Sequence, residues 1–358
     1  MMQPESASHD RYFAAANTYH GFVNHFDEVF SDLSHLYLIK GGSGTGKSRF
    51  MQEYAVRAEN SGYHPLRFYC SFDPTSLDGV LIPERKIGIL DATAPHTKEP
   101  KYPGIYDEIL NLGAFWDTKR LFEKRAHILH CMHQKNSLFT QAYRLLAAAG
   151  RAAEEAEALT AEAVLPQKIA ACAQRFFKQE KPHGAPGKLL LRQTDGIGMN
   201  GFVHFPSLEQ RAQTHIALKD AHEIAHLYLQ QFCKEAQRVG HTAEVSFSAL
   251  EPTQLRRILL SDCDLCLTPE ADAIAPMRVL NTDRFLDHSL YATRRPRIRF
   301  CKKVRNELIS EAITVFSEIK TLHFAIEDDY RDAMDFPAKE AYSAAFLDTV
   351  FPDTAKSH

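Results

Sequence analysis

The sequence has no apolar run that approaches the roughly 20 consecutive residues needed to span a bilayer. The opening MMQPESASHDRYF also lacks the basic start and hydrophobic stretch of a secretory signal. The seven cysteines are odd in number and scattered through apolar contexts, so no disulfide framework is indicated. These absences predict a cytoplasmic protein without a membrane partner.

A strong net charge is missing as well, because 42 Lys and Arg residues nearly balance 45 Asp and Glu residues. The whole chain therefore exerts no electrostatic attraction on nucleic acid, and such a partner would need a local basic patch. Hydrophobic residues make up 44% of the chain and charged residues 24%, which is ordinary for a folded globular protein. A length of 358 residues favours about two domains.

A glycine-rich segment, HLYLIKGGSGTGKSRF, occupies residues 35–50 and has the pattern of a strand, a loop and a helix. Residues 41–48 match G-x-x-x-x-G-K-[ST], the Walker A pattern. Glycines there allow successive backbone N–H groups to point at phosphate oxygens, and the helix start adds positive potential. The pattern predicts a nucleoside triphosphate site formed by Gly41, Gly42, Ser43, Gly44, Thr45, Gly46, Lys47, Ser48 and Arg49.

Phosphoryl chemistry needs a lysine, a hydroxyl group and a carboxylate in this neighbourhood. Lys47 would reach the β and γ phosphates, and the Ser48 hydroxyl would ligate Mg²⁺. Asp91 ends an apolar strand predicted at 87–91 and would complete the metal site in the manner of a Walker B residue. Because no N-K-x-D sequence for reading guanine occurs, ATP is favoured over GTP. The predicted cofactors are ATP and Mg²⁺, with Ser48 and Asp91 as metal residues.

Two further carboxylates follow the second predicted strand, residues 65–70, in the segment DPTSLDG. Asp73 and Asp78 would lie at the same edge of the sheet as Asp91, where either could position an attacking water. The same segment is also typical of turns. The candidate catalytic residues are therefore Lys47, Asp91, Asp73 and Asp78.

An internal repeat appears when the chain is shifted by about 178 residues. FMQEYAVRAENSGYHPLRFYCSFDPT then lies over YLQQFCKEAQRVGHTAEVSFSALEPT without a gap. Together with alternating strands and helices and an alanine-rich helical stretch at 137–163, this predicts an α/β fold of tandem P-loop NTPase-like domains. Their sheets would be mainly parallel, with helical extensions. The predicted boundaries are 1–180 and 189–358, joined by the glycine- and proline-rich linker KPHGAPGK at 181–188.

The same shift places residues 44–48 over HEIAH, residues 222–226. The loop glycines and lysine are replaced there, and Glu223 would repel a polyphosphate, so the second copy is predicted to be degenerate. HEIAH is also the H-E-x-x-H pattern by which two histidines on one helix hold zinc. No third ligand is evident, and 18 histidines make a chance match easy. A zinc metallopeptidase at His222 and His226 is nevertheless an alternative.

A basic segment, RRPRIRFCKKVR, stands out at residues 294–305. Its cations could bind a nucleic-acid backbone or a protein partner, or reach the triphosphate of the first copy as arginine fingers. A solvated basic helix face explains the same pattern.

The stretches IKGGSGTGKSRFMQEY, YCSFDPTSLDGVLIPE and GILDATAPH, with the tandem layout, resemble a family of uncharacterised bacterial tandem P-loop ATPases. The resemblance covers nearly the whole chain. It implies nucleotide binding by residues 41–48 and a site that includes Asp73, Asp78, Asp91 and His96. Members of that family often keep a sequence like the phosphate-binding loop in the second half, and this chain departs from them there.

The expected function is ATP binding with slow or regulated, Mg²⁺-dependent hydrolysis by one active copy, beside a degenerate copy. One alternative is a kinase that transfers phosphate to a small acceptor from the same loop. Another is a nucleotide-gated binding module without turnover.

Overall fold

A computed structural model describes residues 10–94, 97–182 and 184–352. The strands are β1 Arg11–Phe13, β2 Ala15–Thr18, β3 Gly21–Asn24, β4 His35–Lys40, β5 Leu66–Tyr69, β6 Leu77–Ile82, β7 Ile87–Asp91, β8 Asp107–Asn111, β9 Leu189–Leu191, β10 Asp195–Gly198, β11 Gly201–His204, β12 Thr214–Lys219, β13 Ala243–Phe247, β14 Leu255–Leu260, β15 Leu265–Pro269 and β16 Arg278–Asn281. The helices are α1 Phe26–Val29, α2 Lys47–Asn60, α3 Thr118–Ala161, α4 Pro166–Phe176, α5 Ser207–Gln210, α6 Ala225–Val239, α7 His288–Asp332 and α8 Phe336–Val350.

The described chain divides into two compact units, each assembled from separate segments. The glycine-loop unit contains residues 24–141, 198–201 and 314–352. The Asp220-loop unit contains residues 10–23, 142–197 and 202–313. Helices α3 and α7 each contribute residues to both units, so neither unit is one continuous half of the chain. The predicted boundaries at 180 and 189, with their linker, concern the sequence repeat and stay a prediction.

In the glycine-loop unit the strands lie in the order β5-β6-β7-β4-β8. Strand β4 pairs in parallel with β7 and β8, while β6 pairs antiparallel with β5 and β7. Leu36, Leu38 and Ile39 of β4 are fully buried, as are Phe50 and Tyr54 on the inner face of α2. The predicted α/β class is confirmed, and the antiparallel pairs come from β6, a strand that the sequence pattern did not reveal.

In the Asp220-loop unit the order is β9-β13-β14-β15-β12-β16. Strand β12 pairs in parallel with β15 and β16, and β14 pairs antiparallel with β13 and β15. Helix α6 buries Leu229, Phe232 and Ala236 completely. The five strands β13-β14-β15-β12-β16 therefore repeat the order and the directions of β5-β6-β7-β4-β8.

Two long helices follow the two sheets, α3 with 44 residues and α7 with 45. Asp117 accepts hydrogen bonds from the first N–H groups of α3, and Asp287 does the same for α7. The predicted helical stretch at 137–163 belongs to α3 as far as Ala161. Among the described helices, none combines the length and apolar character required to cross a membrane.

Candidate functional site

The glycine-rich loop fills the six residues between the end of β4 at Lys40 and the start of α2 at Lys47. Gly44 and Gly46 have φ values of +70° and +81°, in the left-handed region that favours glycine. A Cβ atom on Gly44 would also lie 2.4 Å from the carbonyl oxygen of Glu327. The predicted order of strand, loop and helix is confirmed, and both the backbone angle and the close contact require glycine at position 44.

Lys47 lies between the loop and the end of the neighbouring strand β7. Its Nζ donates to the carbonyl oxygens of Gly41 and Gly42 at 3.0 and 2.7 Å and lies 3.5 Å from Oδ2 of Asp91. Burial raises the pKa of Asp91, and the ammonium of Lys47 and hydrogen bonds from Thr93 oppose this shift. The structure thus brings together the lysine of the loop and the strand-ending carboxylate.

The other predicted site residues near this edge are Ser48, Asp73 and Asp78. Ser48 Oγ accepts a hydrogen bond from the Leu77 amide at 2.9 Å. Asp73 is buried in the turn before β6 and accepts bonds from the Thr75 amide and hydroxyl at 3.0 and 2.7 Å. Asp78 is buried inside β6 and does not follow the second strand in a turn, because the turn ends before Leu77.

Arg49 and Thr45 have contacts of different kinds. The Arg49 side chain is 70% exposed and pairs with Glu53 and Glu340 on the outer side of α2, away from the lysine of the loop. Thr45 is buried, and its hydroxyl donates to the Gly42 carbonyl at 3.0 Å, which fixes the loop from within. His96 lies outside the described residues.

Aromatic and basic side chains that no loop motif predicts lie against the glycines. A Cβ atom on Gly42 would be 3.1 Å from the Tyr330 ring and 3.2 Å from the Trp116 ring. A Cβ atom on Gly46 would be 3.5 Å from Lys339. Tyr330 lies in the last turn of α7 and Lys339 belongs to α8, both far along the chain from the loop. The available sequence signal was the glycines themselves, since they permit close approach by another element.

A half-buried group of titratable side chains also belongs to this unit. Lys135 Nζ donates to Nδ1 of His323 at 3.2 Å, and His323 Nε2 lies 3.7 Å from Glu327. Burial, followed by the Lys135 charge, lowers the pKa of His323 to about 4. Burial raises the pKa of Glu327, and the charge of Lys47 acts in the opposite direction. Sequence reasoning missed these three residues, which lie on two long helices.

The corresponding loop of the Asp220-loop unit is one residue shorter, with five residues between Lys219 and Ala225. The Asp220 carboxylate accepts hydrogen bonds from the amides of Ile224 and Ala225 at 3.0 and 2.9 Å. Thr282 Oγ1 donates to the same carboxylate at 2.7 Å. A carboxylate of the chain therefore occupies the helix N-terminus, where phosphate binds in other proteins.

The two histidines of HEIAH do not share a helix face. Helix α6 begins at Ala225, so His222 precedes it, and His222 Nε2 lies 3.4 Å from Asp283. His226 Nε2 instead lies 3.3 Å from Glu157. The geometric premise of the zinc hypothesis is therefore wrong. Neither histidine belongs to the groups of potential metal ligands found within the described ranges.

The basic segment at 294–305 lies on α7, and four of its seven cations have acidic partners within the Asp220-loop unit. Arg305 makes two hydrogen bonds to Glu223 at 2.7 and 3.0 Å, and Lys302 lies 3.3 Å from the same carboxylate. Arg294 pairs with Glu162 at 2.8 Å. A nucleic-acid or protein partner for the remaining charge stays a prediction.

Searches of protein-family models, of curated proteins and of solved structures find no match to this chain. The resemblance to tandem P-loop ATPases therefore stays a prediction. A proposal of function therefore rests on the residues of the glycine loop and its neighbours.

Proposed function

We propose that the protein binds ATP with Mg²⁺ at residues 41–48 and hydrolyses it slowly. The observation that carries the proposal is the glycine loop between β4 and α2, with Lys47 held 3.5 Å from Asp91. Loop amides and a helix start provide positive potential for phosphate, and lysine adds a full charge. No side chain among the described residues caps α2, whose N-cap is Gly46.

The residues present fit a magnesium nucleotide. The oxygens of Ser48 and Asp91 are the hard ligands that Mg²⁺ prefers, and both residues belong to elements that meet at the loop. Bound Mg²⁺ would neutralise charge on the phosphates. Lys47 bonds to loop carbonyl oxygens, and phosphate oxygens would take over these contacts. Asp73 and Asp78 lie at the same edge as candidates for positioning water.

The contacts of α7 with the loop support slow or regulated turnover. The Glu327 carbonyl lies close against Gly44, and the Tyr330 ring lies close against Gly42. We infer that these groups restrict the entry of a triphosphate into the loop. Opening of α7 would then limit nucleotide access, which is a conformational step of the kind that often sets turnover.

The test is binding of Mg²⁺-ATP by calorimetry, together with phosphate release, for the wild type, Lys47→Ala and Lys168→Ala. Lys168 is an exposed lysine in α4 and serves as the matched control. Lys47→Ala lacks the charge-assisted contacts of the lysine with phosphate. We therefore expect it to bind Mg²⁺-ATP about 10- to 100-fold more weakly than the wild type. The control should bind normally. Unchanged ATP affinity in Lys47→Ala would contradict the proposal.

Turnover separates the other functions that the same loop could serve. ATP consumption that rises only with a small hydroxyl or carboxyl acceptor would indicate a kinase. Binding without phosphate release, with or without acceptors, would indicate a nucleotide-gated binding module.

A further inference from the structure

A cavity of about 890 Å³ lies in the Asp220-loop unit, and His204 and Asp272 belong to its wall. Glu209 lies beside them, and the three residues offer ligand atoms that are all within 4.8 Å of one another. His204 ends β11, Glu209 belongs to α5 and Asp272 follows β15. Three separate elements thus converge on one point, using residues that neither HEIAH nor the glycine loop includes.

Two buried atoms at this point have no hydrogen-bond partner among the described residues. Glu209 is fully buried, yet its Oε2 has none, while its Oε1 accepts from Arg257 and Thr268 at 2.6 and 2.7 Å. Nε2 of His204 is also buried without a partner and lies 3.6 Å from Oε1 of Glu209. A buried carboxylate oxygen and a buried imidazole nitrogen are unfavourable unless they bind something. Both atoms can donate a lone pair to the same cation.

Asp195 orients the histidine. Its Oδ1 lies 2.9 Å from Nδ1 of His204, so the neutral imidazole donates through Nδ1 and keeps its lone pair on Nε2. Metal-ligating histidines ordinarily have a carboxylate or carbonyl on the other ring nitrogen, which fixes the tautomer. Asp195 is thus a positioning residue for His204.

The charge of the cluster also favours a cation. The guanidinium of Arg257 contacts the carboxylates of Asp195, Glu209 and Asp272, and Arg256 lies 3.3 Å from Asp195. Three carboxylates therefore face two guanidinium groups, and the cluster keeps a formal negative charge. Burial makes such an imbalance costly, and a bound cation offsets it.

We propose that His204, Glu209 and Asp272 bind a divalent transition-metal ion of the Zn²⁺ or Mn²⁺ class. One imidazole and two carboxylates suit these metals, whereas Ca²⁺ and Mg²⁺ are bound through oxygen alone. Because His204 and Asp272 line the cavity, the remaining coordination positions would face it and could accept a small oxygen-donor ligand. The site is independent of ATP binding at residues 41–48.

The test measures metal retained by the full chain after dialysis against Zn²⁺, for the wild type, His204→Gln, Glu209→Gln and a control, His241→Gln. His241 belongs to the other candidate ligand group, with Asp262 and Cys263, and both of its ring nitrogens already have carboxylate partners. We expect one equivalent of Zn²⁺ in the wild type and the control. Both cluster variants should bind it about tenfold more weakly or worse.

Cobalt provides a second readout, since Co²⁺ at the proposed site would show no thiolate charge-transfer band, whereas binding at Cys263 would produce one. His204→Gln leaves the contacts of Arg257 in place. It therefore remains a valid test if circular dichroism shows that Glu209→Gln does not fold. The proposal is overturned by absence of retained metal, by unchanged affinity in His204→Gln, or by loss of metal in His241→Gln or in a His222/His226 double alanine variant.

Discussion

The loop before α2 follows β4 and the loop before α6 follows β12, strands that hold the same place in two sheets. The two loops differ in the groups that they place at the helix start. In the first, glycines with left-handed angles lead to a helix whose N-cap has no side chain. In the second, the carboxylate oxygens of Asp220 accept hydrogen bonds from the amides of Ile224 and Ala225. The second loop therefore has a carboxylate of the chain at the helix start, whereas the first loop has glycine there.

The two units also differ in the side chains that occupy equivalent positions of their sheets. In the glycine-loop unit, Cβ atoms on Gly79 and Gly88 would lie 2.7 and 2.9 Å from the ring of Phe30, which therefore packs directly on the bare backbone. The sequence repeat places Arg257 and Cys266 at these two positions of the other unit. Arg257 is 1% exposed and is held by three carboxylates. One sheet position is thus filled by an aromatic ring in one unit and by an ionic cluster in the other.

The largest loss of stability is expected from a substitution that breaks the ionic cluster. Arg257→Met would remove the guanidinium that Asp195, Glu209 and Asp272 share, and removal of one partner from a buried ion pair costs about 3–5 kcal/mol. Phe30→Leu, the matched change in the glycine-loop unit, should cost less, because leucine is smaller than phenylalanine but leaves no buried charge without a partner. Urea unfolding of both variants measures the difference. Equal losses in the two variants would contradict the prediction, because breaking the ionic cluster would then cost no more than the apolar change.

The second expected effect is a dependence of the free energy of unfolding on pH, and it arises in the glycine-loop unit. The pKa of His323 is lowered from an ordinary value of 6.5 to about 4, chiefly by burial and then by Lys135. Between these values the unfolded chain binds a proton that the folded chain does not, so the free energy of unfolding falls as the pH drops from 6.5 to 4. The loss reaches about 3 kcal/mol at most. Counted from the capping Asp117 and Asp287, the corresponding residue of α3 is Ala153, which does not titrate.

His323→Gln isolates this effect, because glutamine cannot take up the proton while all other groups still titrate. Urea unfolding at several pH values should give a shallower slope between pH 6.5 and 4 for the variant than for the wild type. The same slope in both proteins would show that His323 is protonated as easily in the folded chain as in the unfolded chain.

Local sequence was sufficient for the features that depend on neighbouring residues. The glycine loop, Lys47 at the helix start and Asp91 at the end of β7 were predicted because spacing along one strand, loop and helix determines them. Strand β6 was missed because Asp78 and Gly79 interrupt its apolar pattern, although all six of its residues are buried. Contacts of Glu327 and Tyr330 with the loop could not be predicted, since they join distant segments that share no motif.

The smallest loss of stability is expected from removal of the Asp220 carboxylate in the second loop. Asp220→Ala removes the acceptor for two helix amides and for Thr282, and loss of such a cap costs about 1–2 kcal/mol. Hydrogen exchange at the start of α6 should accelerate, whereas the start of α2 should be unaffected. The variant should still not bind Mg²⁺-ATP, because Ala225 stands where the first loop has Lys47. ATP binding gained by this single change would mean that Asp220 alone separates the two loops and that the lysine matters less than the exposed amides.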